Sequence, residues 1–214
     1  LCLTAAWNPS LAHAYAKSIG EECRAGGIGI LLGPGMNIYR NSQCGRNFEY
    51  LGEDPFLAGS MVEQYIVGVQ NTGVIATLKH FIANNTDYNR RASNSIISER
   101  AIHEIYLPAF KAGVDAGALA VMTAYNQLNG EWCGQSDTVI NGLLRGELGY
   151  QNLVMTDWWS VNDCKALVES GQDLEMPAGD SMGPLQEQIE KGEVKIESID
   201  RMCVSLIKTL IQME

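Results

Sequence analysis

Basic residues are scarce in this sequence: 15 Lys+Arg stand against 25 Asp+Glu, a formal charge of −10 at pH 7. A nucleic-acid binder carries the opposite sign, at least in a patch. The pair Arg90-Arg91 is too short to make such a patch, so no nucleic acid is expected as a partner. Long apolar runs are missing too. None reaches the roughly 18–20 residues that a helix needs to span a bilayer, and no membrane association is expected. Only three histidines occur, scattered, and the cysteines at 2, 23, 44, 133, 164 and 203 contain no CxxC. Metal-ligand spacing is therefore lacking, no metal or other cofactor is expected, and a dense disulfide framework is excluded. The cysteines read as small buried hydrophobes and say nothing of compartment. An initiator Met and a charged-then-apolar leader are also absent, which reads as a piece of something longer.

What is present is a globular pattern: 214 residues, 46% hydrophobic and 19% charged, enough to bury a large core. Apolar β-type runs recur at 28–32, 74–78, 119–123, 153–156 and, more weakly, 174–176. Runs of this length suit strands buried on both faces, as in a parallel sheet. Helical patterns fill the gaps. Asn8-Pro9 and Asp54-Pro55 are N-cap and first-turn pairs, heading helices that close near Cys23 and at Gly73. Further helices are expected at 99–111, kinked or divided by Pro108, and at 136–144, 161–168 and 185–190. Near the C-terminus Ile196, Ile199, Met202, Cys203, Leu206, Ile207 and Leu210 trace one helix face.

Strand–helix alternation at this spacing means βα units on a parallel sheet. The open doubly wound sheet and the (β/α)8 barrel both satisfy it. GGIGILLGPG lacks G-x-G-x-x-G in register and no Walker A sequence occurs, which weakens the nucleotide-binding form of the open sheet. The expected fold is α/β, a TIM-barrel-like (β/α)8 domain incomplete at its N-terminal end, with residues 1–214 forming most of that one domain. In such a barrel the working residues project from strand C-termini. Those positions hold Gly33-Pro34-Gly35, then Lys79 and His80, then Met122, Tyr125 and Asn126, then Asp157, Trp158 and Trp159. Asp157 has two readings, a carboxylate facing a ligand or an N-cap for a helix over 160–168. Lys79 and His80 read as donors to a polyhydroxy or anionic substrate, or as a salt-bridged strand end. Tyr125 and Asn126 read as pocket residues or a satisfied loop. Adjacent tryptophans point in different directions, so at most one of Trp158 and Trp159 lines a pocket. His13 and His103 fall in helical patterns and read as structural or surface residues, and the sequon Asn84-Asn85-Thr86 reads as coincidence.

Several long segments in one order, LLGPGMNIYR, CGRNFEYLGEDPFLAG, ATLKHFIANN, ERAIHEIYLPAF, VMTAYNQLNG, LVMTDWWSV and DLEMP, resemble glycoside hydrolase family 3 in its β-glucosidase branch. The loop KHFIANNTDYNR lacks the KHFPGHG-type pattern of that family's N-acetylglucosaminidases. The resemblance implies a (β/α)8 domain followed by an α/β sandwich, with the active site between them. It implies that Asp157 is the catalytic nucleophile, that Arg46, Lys79 and His80 hold glycone hydroxyls, and that Met122 and Tyr125 line the pocket, Tyr125 near the nucleophile. Trp158 matches the aromatic beside the sugar. The family's sugar-gripping aspartate would precede Leu1, and its acid/base glutamate would follow Glu214 in the second domain of the same polypeptide. The implied activity is that of a retaining exo-β-glycosidase on a β-glucoside or oligosaccharide, most fittingly a β-glucosidase. A β-xylosidase or other exo-glycosidase and a non-catalytic sugar-binding relative are its alternatives. An aldolase or isomerase using Lys79 as a Schiff base is the rival from another class. Arg46 and Lys79 are expected to lower the pKa of Asp157 by opposite charge. Family members of this type are often exported, which leans the expected location toward secreted or periplasmic.

Overall fold

The computed structural model describes residues 2–213. A short helix α1 (Cys2–Ala5) precedes α2 (Pro9–Ala25), whose start is fixed as the sequence predicts: Asn8 Oδ1 accepts from the Ser10 amide at 3.0 Å and Pro9 occupies the first turn. After strand β1 (Ile30–Leu31) and a 3₁₀ turn (Asn47–Glu49) comes α3 (Pro55–Gln70), capped by Asp54 onto the Leu57 amide at 2.6 Å. Then follow β2 (Ile75–Phe81) and β3 (Asn94–Ser95). The next helix opens as α4 (Glu99–Ala101), loosens into a π turn (Ile102–Tyr106) and resumes as α5 (Leu107–Asp115). Pro108, which has no N–H to give, sits in the first turn of α5, so the helix is divided where the sequence predicts.

Strand β4 (Ala120–Thr123) leads to a hairpin of β5 (Gln127–Leu128) and β6 (Glu131–Trp132), a 3₁₀ turn (Cys133–Gln135) and a π-type helix (Thr138–Glu147). Strand β7 (Leu153–Met155) is followed by α6 (Cys164–Glu169), a 3₁₀ turn (Asp180–Met182), α7 (Leu185–Glu190) and α8 (Ile196–Ile211).

The main sheet runs β1-β2-β4-β7, all parallel, each strand beside the next one laid down and separated from it by helical chain. A doubly wound sheet reverses its strand order at a switch point. None of the four strands does so here, and the progression is that of a barrel-like wall, although it forms no closed barrel among the described residues. The run at 174–176 contributes a bridge, Met155 to Leu174, rather than a strand, and the first run shrinks to two residues because Ile28 is half exposed. The helices press close to this wall. A Cβ at Gly113 on α5 would come within 2.7 Å of Leu78 on β2, and one at Gly68 on α3 within 2.6 Å of the His13 carbonyl on α2. Phe81 meets Phe110 edge-on at 4.9 Å.

Helix α8 turns a different face inward than its apolar pattern predicts. Met202, Ser205 and Thr209 are buried, with Ile199 and Leu206 packed partly beneath, while Ile196, Cys203, Ile207 and Leu210 lie exposed. Polar bonds set this rotation. Asp173, its carboxylate out of solvent, accepts from Arg201 at 2.8 Å, from Ser205 and Arg145 at 2.7 Å and from the Val154 amide at 2.9 Å. Thr209 Oγ1 accepts from the Leu153 amide at 3.1 Å. The cysteines depart from expectation as well: four are buried, but Cys2 and Cys203 are exposed, and all six are free thiols.

Removing one side of a buried ion pair strands the other charge, at a cost of about 3–5 kcal/mol. Asp173→Ala is therefore expected to lower stability by that order in equilibrium unfolding. A loss below about 1 kcal/mol would mean that Arg145 and Arg201 find other partners.

Candidate active site

Three parallel strands end at one rim, and each places a polar side chain there. Lys79 and His80 close β2, Met122 lies near the end of β4 with Tyr125 just beyond it, and Asp157 and Trp158 follow β7. Arg46 reaches in from the start of the Asn47–Glu49 turn. All seven side chains line one cavity of about 460 Å³, together with Leu32, Gly45, Phe48, Asp87 and Arg90. A hollow of about 560 Å³ beside Trp7, Tyr39 and Leu51 holds none of these strand-end residues. Convergent chemistry rather than size marks the site.

Asp157 is 5% exposed. Its Oδ1 accepts from the Trp158 amide at 2.8 Å, while Oδ2 makes no hydrogen bond of normal geometry. His80 Nε2 lies 3.4 Å and Arg46 Nη1 3.9 Å from Oδ2, and the Tyr125 hydroxyl is a further donor beside the carboxylate. The N-cap alternative does not hold. Helix α6 starts at Cys164 and is capped by Asp163, whose Oδ1 accepts from the Ala166 amide at 2.8 Å. The helix expected from 161 therefore starts three residues later, at Cys164.

Burial raises the pKa of Asp157 above 3.8, against the opposing pull of the Trp158 N–H, Arg46, Tyr125 and Arg90. The expectation of a lowered value is thus corrected. Arg46 acts in the predicted direction but is outweighed. Lys79 is drawn away: its Nζ lies 3.2 Å from Glu49 Oε2, while Glu49 Oε1 pairs with Arg46 Nε. Lys79 is therefore both a cavity-lining donor and a salt-bridged strand end. His80, 1% exposed, has a pKa well below 6.5 through burial and the charges of Arg46, Lys79 and Arg90, and is a neutral imidazole. The Tyr125 phenol is pushed up by burial and by the Asp157 charge. Arg90 lies 4.3 Å over the Tyr125 ring.

Of the remaining candidates, Asn126 is a loop anchor whose Nδ2 donates to the Ile82 and Gln127 carbonyls at 3.2 and 3.0 Å. Trp158 lines the cavity, whereas Trp159 is 53% exposed and donates to Asp180 at 3.0 Å. Asn84 is buried with its Nδ2 on the Tyr50 hydroxyl at 3.1 Å, so the sequon's acceptor nitrogen is out of reach in the folded chain. His103 is a surface residue paired with Glu147 at 2.7 Å. Sequence reasoning passed over Glu49, Tyr50 and Arg90. The first two sit inside CGRNFEY, and Arg90 belongs to a basic pair dismissed as too short for nucleic acid. Among the described residues no three His, Cys, Asp or Glu side chains are grouped as metal ligands, and no helix is long and apolar enough to cross a membrane.

The model of the glycosyl hydrolase family 3 N-terminal domain matches residues 1–209. The chain belongs to glycosyl hydrolase family 3. It is 46% identical to Beta-glucosidase BoGH3A of Bacteroides ovatus over 176 residues, 82% of this chain and 24% of that protein. To an exo-alpha-(1->6)-L-arabinopyranosidase of Bifidobacterium breve it is 38% identical over 206 residues, 96% of this chain and 27% of the relative. The structure of beta-glucosidase 3B from Thermotoga neapolitana in complex with glucose superposes with a TM-score of 0.95 at 39% identity, covering 98% of this chain and 31% of that one. The chain thus spans about a quarter of the length of the curated relatives it matches.

In this family 3 chain the raised pKa of Asp157 has a thermodynamic sign. A folded value above the unfolded one means that the native state favours the protonated form. Stability is therefore greatest below about pH 3.8 on this group's account and falls as pH rises through the folded value. At neutral pH the ionised, buried carboxylate costs stability, and Asp157→Asn removes that cost. The variant is expected to melt above wild type near pH 7, with the gain shrinking toward acid. A variant less stable at pH 7 than at pH 4, relative to wild type, would contradict the assignment.

Proposed function

We propose that the cavity is the glycone site of a retaining exo-β-glycosidase that removes terminal non-reducing β-D-glucosyl residues, with Asp157 as its nucleophile. One observation carries the reading: a buried strand-end carboxylate has one oxygen without a hydrogen bond, beside a neutral imidazole and a guanidinium, in a cavity of sugar-sized volume. Family membership supports the same chemistry, as do relatives whose names are those of β-glucosidases.

In this reading Asp157 attacks the anomeric carbon as the C1–O bond to the leaving group breaks. The departing oxygen takes its proton from a carboxylic acid about 5–5.5 Å from the nucleophile across the bond, and water then cleaves the glycosyl ester with that acid acting as base. A nucleophile must be ionised and an acid protonated, so the acid belongs away from Arg46 and Lys79. It is assigned to the polypeptide outside residues 1–214, in a second domain that completes the site. Arg46 and Lys79 donate to glycone hydroxyls, His80 borders the ring with its one N–H toward Asp157, Met122 and Trp158 pack against the apolar face of the ring, and Tyr125 stands beside the nucleophile. Glu49 accepts from hydroxyls or holds the two cations in register, and needs no cofactor to do either.

An exo-acting pentopyranosidase is the second reading, favoured by the 38% identity to the arabinopyranosidase. Relative kcat/KM on aryl glucosides, xylosides and arabinopyranosides decides between the two. The nucleophile is tested in the full-length polypeptide. Asp157→Gly is expected to lose on the order of 10⁴-fold in kcat on an aryl β-glucoside and to regain turnover with azide, yielding the α-glucosyl azide. A loss under tenfold, or a β-azide product, would remove Asp157 from the role. A polypeptide ending at residue 214 is expected to be nearly inactive on the same substrate, and near full-length rates would place the acid within this segment.

A further inference from the structure

His80 touches more than Asp157. Its Nδ1 lies 3.3 Å from the Tyr50 hydroxyl and 3.4 Å from Asn37 Oδ1, and the Tyr50 hydroxyl accepts from Asn84 Nδ2 at 3.1 Å. Tyr50, His80 and Asn84 are each 1% exposed and Asn37 is 2% exposed, so water does not settle these atoms. Asn37 is already committed to the backbone: its Oδ1 accepts from the His80 amide at 2.9 Å and its Nδ2 donates to the His80 carbonyl at 2.8 Å.

A neutral imidazole carries one N–H, and which nitrogen holds it follows from what the other nitrogen meets. With the proton on Nδ1, the ring donates weakly to Asn37 and turns the bare lone pair of Nε2 toward the carboxylate oxygen of Asp157 at 3.4 Å. With the proton on Nε2, the Asn84 amide donates to the Tyr50 oxygen, the Tyr50 O–H donates to Nδ1, and Nε2–H donates toward Asp157 Oδ2. The second arrangement gives the Tyr50 O–H and the imidazole N–H one acceptor each and spares the carboxylate a facing lone pair. Buried polar groups left unmatched are costly, which favours the complete chain.

We propose that Tyr50 is a positioning residue: its hydroxyl fixes His80 as the Nε2–H tautomer and so turns an N–H donor toward Asp157 Oδ2. Burial keeps the Tyr50 phenol protonated and able to donate. The charged and titratable groups around Asp157 and His80 are Arg46, Lys79 and Arg90, with Glu49 pairing the first two and Asp87 the third, and Tyr125 beyond β4. None of these contacts Nδ1, so the hydroxyl of Tyr50 acts on a nitrogen that no charge reaches directly.

Tyr50→Phe keeps the ring that packs edge-on against His80 at 6.1 Å and deletes the hydroxyl. Two readouts in the full-length polypeptide test the assignment. The first is independent of activity: ¹⁵N-histidine labelling, with the His80 signals identified by their loss in His80→Gln. Wild type is expected to show a protonated Nε2 and an unprotonated Nδ1, and Tyr50→Phe a shift of the proton toward Nδ1. The second rests on the proposed function. In Tyr50→Phe, kcat/KM is expected to fall about three- to tenfold, the worth of one neutral hydrogen bond. Its acid limb moves to higher pH, because a carboxylate deprived of a donor binds its proton more tightly. A merely structural tyrosine would lower the melting temperature and leave that limb in place. A wild-type Nδ1–H tautomer overturns the proposal, as does a folded Tyr50→Phe with an unmoved tautomer or an unmoved acid limb. Should Tyr50→Phe not fold, the wild-type tautomer decides alone. A wild type that hydrolyses no glycoside strikes the proposed function instead and leaves the nitrogen measurement standing.

Discussion

A carboxylate held at the end of a parallel strand, almost out of water, governs the arrangement of the groups around it. Asp157 sits where β7 stops, and β2 and β4 stop beside it with Lys79, His80, Met122 and Tyr125. Desolvation alone would drive such a group to take up a proton. The neighbours oppose this by degrees: a backbone N–H on one oxygen, a neutral imidazole and a guanidinium near the other. The balance still tips toward a raised pKa, because burial outweighs these opposing groups. Glu49 binds both Arg46 and Lys79, and in holding them in place it also absorbs part of their field.

That division explains how the rim can be dense in charge and yet ordered. Two cations facing a cavity without Glu49 would repel one another, and their side chains would be poorly fixed. Paired with one carboxylate, they present N–H groups at set positions, the geometry that recognition of a polyhydroxylated ring needs. The neutral His80 extends the logic. A charged imidazole beside Arg46 and Lys79 would be expensive to bury, whereas a neutral one is a single donor whose direction is decided by Tyr50.

Much of this was legible in the sequence, for identifiable reasons. Asn8-Pro9 and Asp54-Pro55 declare helix starts through chemistry local to a few residues, and both starts appear where they are written. The apolar runs announced buried parallel strands, and the strand-end rule then brought Lys79, His80, Met122, Tyr125 and Asp157 to one rim. The failures share a cause: they depend on partners distant in sequence. The face that α8 buries is chosen by Asp173, some 30 residues away, through Arg201 and Ser205 rather than by apolar periodicity. The pKa of Asp157 is raised first by burial, which follows from packing that no spacing argument gives. Asp163, not Asp157, caps α6, a choice between two good capping residues that only the path of the chain resolves. The residues around His80 were missed because Asn37, Tyr50 and Asn84 are ordinary buried polar residues until three separate segments bring them together.

The central claim is that Asp157 forms a covalent bond to the sugar. The direct measurement is peptide mass analysis of the full-length polypeptide after incubation with an activated 2-deoxy-2-fluoro-β-glucoside, whose fluorine slows both chemical steps while the good leaving group lets the glycosyl-enzyme accumulate. A fluoroglucosyl adduct on the peptide carrying Asp157 is the predicted result. An adduct on another carboxylate, or none on a folded protein that turns over the parent glucoside, would contradict it.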